Sequence, residues 1–210
     1  PGSSLPNAMV QVSPVTKFHS GAGYQYEDSV IYGFTHTNKG HWNLCHIPLL
    51  PVTGTPTPGD YCSPFSHERE SAAPGYYQVF LDRYGVDAQL SSTLRCAFHK
   101  YTYPAGAAPA VLADLQRSNE HVRAWDIRKE GDNVFAGWQQ TGEKMYFYAV
   151  ANRPVTGIEP VVEGDREVRI VRFGEGDGAL ELRIGFSFVS EKNARENLEA
   201  EMLGKSFAEG

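Results

Sequence analysis

The chain has 210 residues, of which 41% are hydrophobic and 21% charged, so it is long and apolar enough for one globular domain with its own core. Nineteen Lys and Arg stand against 25 Asp and Glu, a net charge of -6, which argues against a nucleic-acid backbone as partner. No apolar run approaches the roughly 20 residues of a membrane-spanning helix. Three cysteines at irregular spacing match neither a zinc site nor a dense disulfide framework, and at most one disulfide can form.

Short strands joined by turns are the predicted elements, because the chain holds 13 Pro, 21 Gly and 12% aromatic residues. The first strand covers 9–12 and is expected to break at Ser13-Pro14, since proline removes a ladder donor. Segment 47–60 is a strand followed by a Pro- and Gly-rich loop. Alternation over 75–81 and 86–90, with a turn at 82–85, predicts a hairpin. Further strands are predicted at 95–103, 110–115, 121–129, 134–140, 144–151, 167–173 and 179–189.

The last segment changes to a helical period. Ser190 is a suitable N-cap, apolar residues recur at Ala194, Leu198 and Met202, and Gly204 is a stop signal. We expect this apolar stripe to pack against something outside the chain. The whole pattern predicts a mainly β fold, a two-sheet antiparallel β-sandwich with a C-terminal helix.

Residues 18–46 are rich in aromatic residues and histidine, interleaved with glycine, which suits a surface loop that grips a ligand. Trp42 beside His41 is either an aromatic platform for a sugar or a packed loop anchor. His36 either binds substrate or is a buried histidine that holds the loop. A metal site at His36, His41 and His46 is disfavoured, because five-residue spacing puts side chains on alternating faces of a strand.

Several ordered segments resemble one known family. Residues 23–28 read GYQYED and 31–37 read IYGFTHT, similar to the signature near the start of family 92 glycoside hydrolases. The opening segment 1–14 also resembles that family. The resemblance extends over nearly the whole chain, and six ordered blocks together make it specific. The later similar segments are 65–68, 74–77, 97–104, 146–149, 185–190 and 193–201.

The resemblance implies a β-sandwich domain of supersandwich type over 1–189, and a linker helix over 190–210 that leads to an (α/α)6 catalytic barrel. It implies an exo-acting, inverting, Ca²⁺-dependent α-mannosidase, with α-1,2 linkage expected. Its general acid, general base and calcium ligands would lie beyond Gly210, so no catalytic or metal residue is expected in this chain. The implied partners are a mannose-containing glycan and the chain's own catalytic domain, and the implied location is periplasmic or extracellular.

The implied substrate contacts are Phe18, His19, His36, Asn38 and Trp42. The chain departs from the family pattern at 35–38, which reads THTN where the family has SHTH, and in the loop 39–46. These departures affect the linkage and the activity that the resemblance implies. Two other functions stay open: a non-catalytic carbohydrate-binding module, and an interaction domain whose terminal helix docks a partner.

Overall fold

The computed structural model describes residues 2–3, 6–202 and 205. Within them the chain forms 18 strands, one 3-10 turn (His67–Arg69) and one helix, α1 (Glu191–Glu201). The strands are β1 (Ser13–Val15), β2 (Val30–Ile31), β3 (Gly33–Thr35), β4 (Asn38–Lys39), β5 (Trp42–Asn43), β6 (Leu49–Val52), β7 (Ser63–Pro64), β8 (Glu70–Ala73), β9 (Tyr76–Leu81), β10 (Val86–Ser92), β11 (Cys96–Thr102), β12 (Ala110–Ala113), β13 (Ala124–Gly131), β14 (Val134–Gln140), β15 (Lys144–Ala151), β16 (Val155–Glu163), β17 (Arg166–Phe173) and β18 (Leu180–Ser187).

Two large antiparallel sheets build the molecule. One has six strands in the order β1-β3-β6-β12-β17-β16, and the other has eight in the order β13-β14-β15-β18-β11-β10-β9-β8. Burial alternates along β9 and β15, as expected where one face of a strand meets the core. Two small two-stranded ribbons, β2-β7 and β4-β5, lie outside these sheets. The predicted mainly β sandwich is confirmed.

The core lies between the two sheets. Phe34 of β3 contacts Tyr77 and Tyr101 of the opposite sheet, each with ring centroids 6.4 Å apart. At the other end, Phe135 of β14 contacts Phe173 of β17 at 6.2 Å. All five rings are buried, so aromatic contacts join the two layers over much of their length.

The sequence prediction was wrong at several strands. It missed the interior strand β3 and the ribbon strands β2, β4, β5 and β7, and it also erred at three edge strands. Strand β1 contains Pro14 rather than breaking before it, and the strands β8 and β16 were not predicted at all. All three are edges of a large sheet, where a proline such as Pro14 or Pro160 can leave its missing donor on the open side. The predicted strand 9–12 is also wrong, because Val12 makes only an isolated bridge to Ser3. The predicted hairpin of β9 and β10 is confirmed.

Helix α1 corrects a second expectation. The Ser190 hydroxyl accepts a hydrogen bond from the Asn193 N–H at 3.0 Å, as predicted for the N-cap. The apolar stripe was expected to pack against something outside the chain, but it is covered within the domain. Leu198 and Met202 pack with Cys96 and Phe98 of β11 on the outer face of the eight-stranded sheet. The predicted stop at Gly204 lies outside the described residues. No helix of the described residues is long and apolar enough to cross a membrane.

All three cysteines, Cys45, Cys62 and Cys96, are free thiols. Cys45 is fully buried, and burial raises its pKa to about 12. A thiol held protonated in this way is a packing residue and not a nucleophile.

Candidate functional site

A short hairpin presents Trp42 to solvent. Strands β4 and β5 pair Asn38 with Asn43 and Lys39 with Trp42, and Gly40 takes the left-handed conformation of the turn between them, at φ 61°. Trp42 is 65% exposed, whereas a tryptophan used for packing is largely covered. Its indole is therefore available to a ligand.

A pocket of about 340 Å³ lies beside this hairpin. Its lining includes the Trp42 indole and the polar side chains of Tyr24, Asn38 and His41. A pyranose has an apolar C–H face and a rim of hydroxyl groups, so an aromatic surface with a few polar groups around it matches its chemistry. The structure thus brings two of the predicted contacts, Asn38 and Trp42, into one pocket, which we call the Trp42 pocket.

Close packing underneath holds the Trp42 indole. A Cβ atom added at Gly21 would lie 2.8 Å from the indole, so the indole packs directly over the Gly21 backbone. The Asn43 N–H donates to the Gly21 carbonyl at 2.8 Å. The hairpin and the preceding loop 16–23 are therefore one packed unit.

Tyr24 is held in place by a hydrogen bond to a neighbouring carboxylate. Its hydroxyl donates to the Glu70 carboxylate at 3.0 Å, and Tyr77 donates to the same carboxylate at 2.6 Å. Burial, followed by the neighbouring Glu70, raises the pKa of Tyr24. The phenol therefore stays neutral at physiological pH.

A chain of hydrogen bonds closes the base of the hairpin. His46 Nε2 lies 2.6 Å from Glu120 and its Nδ1 lies 2.8 Å from the Thr37 hydroxyl, while Thr141 donates to Glu120 at 2.8 Å. Burial lowers the pKa of His46 against the opposing influence of Glu120. Burial also acts to raise the pKa of Glu120, but hydrogen bonds from Thr141 and His46 outweigh it and lower that pKa. A neutral His46 that donates to a charged Glu120 and accepts from Thr37 satisfies every contact.

The loop after the hairpin carries backbone strain. Cys45 and Ile47 have φ values of 54° and 52°. Residues other than glycine rarely adopt such positive φ values, and β-branched residues such as Ile adopt them least of all. The Asn43 and Gln139 side chains each accept a hydrogen bond from one of these strained residues, from the Cys45 and Ile47 N–H groups respectively, both at 2.8 Å. Strain that the surroundings hold in place is often found at functional sites.

A second pocket of about 500 Å³ contains two other candidates, the half-buried Phe18 and the exposed His19. The Arg117 guanidinium lies 4.9 Å from the Phe18 ring centroid and 5.5 Å from that of Tyr32. Glu27 and Asp28 line the same pocket. We call it the Phe18 pocket; its lining includes Asp, Glu, Lys and Arg residues, which the described lining of the Trp42 pocket does not contain.

His36 lies in the interior, apart from both pockets. It is fully buried, and its Nε2 lies 3.0 Å from the Nε2 of His99. Burial lowers the pKa of His36 to about 3. This placement agrees with the interpretation of His36 as a buried histidine, and His36 has no surface here to offer a sugar.

The three histidines of the disfavoured metal hypothesis have separate environments, since His36 is buried, His41 is exposed and His46 is bound to Glu120. Residues 2–3, 6–202 and 205 contain no group of three or more His, Cys, Asp or Glu side chains placed to hold a metal ion.

Sequence reasoning missed the residues that hold the site together. Arg117, Asn119 and Glu120 belong to the connection between β12 and β13, and Gln139 is on β14. Nothing in their spacing points to segment 16–46, because they approach it only after the sheets have formed. Tyr24 could have been found, since it lies within the GYQYED motif.

The chain matches known proteins along its whole length. The model of the glycosyl hydrolase family 92 N-terminal domain matches residues 1–195. The family GH92 alpha-mannosidase BT3965 from Bacteroides thetaiotaomicron superposes with a TM-score of 0.89 at 25% identity, covering 100% of this chain and 34% of its own. Its complex with mannoimidazole gives 0.87 at 26% identity, with 100% and 33% covered. The GH92 glycosyl hydrolase ccman5 gives 0.83 at 26% identity, with 99% and 33% covered.

The chain thus spans about a third of the length of these solved relatives. No curated protein matches it. The family model covers far more than half of the sequence, and the solved relatives share its fold throughout. The chain therefore belongs to glycosyl hydrolase family 92, in which it is an N-terminal domain.

Proposed function

We propose that this domain forms one wall of the glycan-binding pocket of an α-mannosidase that releases terminal mannose, with α-1,2 linkage as the expected substrate. The observation that carries the proposal is the exposed Trp42 indole beside Tyr24, Asn38 and His41. A solved relative carries mannoimidazole, which supports a mannose-like ring as the ligand class.

The domain's own residues would bind and orient the sugar. The Trp42 indole would stack on the C–H face of the ring, and the polar groups of Tyr24, Asn38 and His41 would bind hydroxyls. Of the described lining residues of the Trp42 pocket, none is a carboxylate. The two carboxyl groups of an inverting mechanism, about 6.5–9.5 Å apart, are therefore proposed for a C-terminal catalytic domain.

We place the Ca²⁺ of the proposed enzyme in that catalytic domain as well, because the described residues form no metal-binding cluster. When bound there it would supply positive charge for sugar hydroxyls, and no step assigned to this domain passes through it. Periplasmic or extracellular action belongs to the same proposal.

A non-catalytic carbohydrate-binding module is the second candidate, and the lack of carboxylates in the lining of the Trp42 pocket favours it. Mannose release from α-1,2-mannobiose separates the two. We expect release only when the domain is joined to the C-terminal catalytic domain of its family, and loss of release with a chelator. Binding of mannosides without release by either form would favour the module.

A further inference from the structure

Asn119 lines neither pocket, but it makes hydrogen bonds to the segments that form both of them. Asn119 lies in the connection between β12 and β13 and is half-buried. Its Oδ1 accepts from the His19 N–H at 2.5 Å, at the rim of the Phe18 pocket. Its Nδ2 donates to the Asn43 carbonyl at 2.6 Å, and its backbone N–H donates to the Leu44 carbonyl at 2.9 Å, at the base of the Trp42 hairpin.

These contacts fix the orientation of the Asn119 amide. Its oxygen faces an N–H donor and its nitrogen faces a carbonyl acceptor, so a flipped amide would make both contacts repulsive. The His19 backbone that it holds is left-handed, at φ 59°, a conformation that costs free energy for a residue other than glycine. The Asn119 amide therefore compensates for local strain as well as joining two segments.

Asn119 also stands on a rigid base. The fully buried Gln139 of β14 donates to the Leu115 and Arg117 carbonyls at 2.9 and 2.8 Å. Next to Asn119, the Ser118 hydroxyl donates to the Glu120 carbonyl and accepts from its N–H, both at 2.8 Å. The eight-stranded sheet thereby holds the turn that carries Asn119, as precise positioning requires.

We propose that Asn119 is a positioning residue that sets the placement of the Trp42 hairpin relative to the Phe18–His19 rim, and so determines how well the domain binds a mannose-containing glycan. This inference rests on the proposed function, because it acts through Trp42. Asn119 itself lines neither pocket; it acts through His19, which lines the Phe18 pocket, and Asn43, which lines the Trp42 pocket.

The informative substitution is Asn119→Asp. It keeps the acceptor for His19 but replaces the donor to Asn43 by an oxygen, so it loosens the hairpin while changing almost no volume. Asn152→Asp is a matched control, because Asn152 makes the same pair of bonds elsewhere, accepting from the Glu181 N–H and donating to the Ala179 carbonyl, both at 2.9 Å.

The first readout is the position of the indole in the 210-residue chain, measured by its ¹H–¹⁵N signal and assigned with a Trp42→Ala variant. Asn119→Asp should shift or broaden the Trp42 indole signal, and Asn152→Asp should leave it in place. An indole signal that is the same in both variants would overturn the inference without any reference to sugar.

The second readout is the kinetics of mannose release by the domain joined to its catalytic domain. Asn119→Asp should raise KM for α-1,2-mannobiose at least fivefold, with kcat within twofold, and should have no further effect in a Trp42→Ala background. Equal effects in both backgrounds, or a change in kcat alone, would overturn the role of Asn119. A Trp42→Ala variant with unchanged kinetics would instead refute the proposed function, and with it the role of Asn119 through Trp42.

Discussion

His36 and His99 share one hydrogen bond inside the core, and that arrangement keeps both rings neutral. Their Nε2 atoms lie 3.0 Å apart, so one ring donates and the other accepts. Both side chains are fully buried, and burial is the largest cause that lowers the pKa of each, to about 3 for His36. The His46 and Ile47 backbone groups near the His36 ring favour its protonated form, but burial outweighs them.

We therefore predict that acid destabilises this domain at mildly acidic pH. The folded pKa values lie below the unfolded value of about 6.5, so the unfolded state binds the extra protons and stability is lost as pH falls below 6.5. Two such rings should cost roughly 3 kcal/mol in the free energy of unfolding between pH 7.5 and 5.5. Urea unfolding at both pH values measures this change.

A His36→Gln variant isolates the effect, because its pH dependence should be smaller by about half of that cost. The comparison also cancels His67, whose pKa is raised by its hydrogen bond with Glu70. That group acts with the opposite sign, since its contribution is present below its unfolded pKa and is lost as pH rises. Equal pH dependence in the variant and in the native chain would contradict our account of the buried pair.

At the residue scale, the sequence could predict which types of side chain form the site but not where each one points. Asn38 and Trp42 do share a pocket, and Phe18 and His19 share another. His36 is on the same segment, one residue after the end of β3, yet its side chain is fully buried in the core. The exposed or buried face of each residue depends on sheet register, which a loop rich in glycine does not reveal.

Three of the strands that the sequence prediction missed or misplaced share one property. Strands β8, β16 and β1 are all edge strands, and edges carry prolines and charged residues that interrupt the apolar alternation. The interior strands β9, β10, β14 and β15 were predicted within two residues. The edge strand β13 was also predicted, whereas the short interior strand β3 was missed. The sequence pattern therefore identified the long apolar strands and missed those that are short or interrupted by proline.

Helix α1 lies against β18 with almost no space between them. A Cβ atom added at Gly185 would lie 2.1 Å from the Ala194 carbonyl oxygen and 2.9 Å from the Leu198 Cβ. Backbone atoms cannot yield at such distances, so only glycine allows this approach. The contact covers the apolar stripe of the helix and removes the argument for an interaction domain that docks through it.

Gly185→Ala should therefore destabilise the domain, by roughly 1–3 kcal/mol in the free energy of unfolding, because the helix must move off the sheet. Chemical denaturation followed by far-UV circular dichroism measures this. Gly157→Ala is the control, since Gly157 is also in a strand and a Cβ there would meet nothing within 4 Å. A similar loss of stability in both variants would rule out the close helix contact as the cause.

At the scale of the whole molecule, the order of the motifs predicted more than their individual chemistry. Short blocks spread over the chain pointed to one family, and the family model and the solved relatives confirm both that family and the sandwich fold. The function of the complete enzyme cannot follow from this domain alone, because the chain spans about a third of the relatives' length. In our proposal, the domain adds a glycan-facing surface held by the loops between its strands.

That surface is tested most directly by replacing Trp42. In the domain joined to its catalytic domain, Trp42→Ala should lower kcat/KM for mannose release from α-1,2-mannobiose about tenfold, a loss of about 1.4 kcal/mol of binding. Trp138→Ala is the control, because Trp138 of β14 lines neither pocket. Its indole instead faces the Lys144 ammonium, which lies 3.6 Å from the ring centroid. A tenfold loss in Trp42→Ala only would confirm that the Trp42 pocket binds the glycan, whereas unchanged kcat/KM in Trp42→Ala would contradict it.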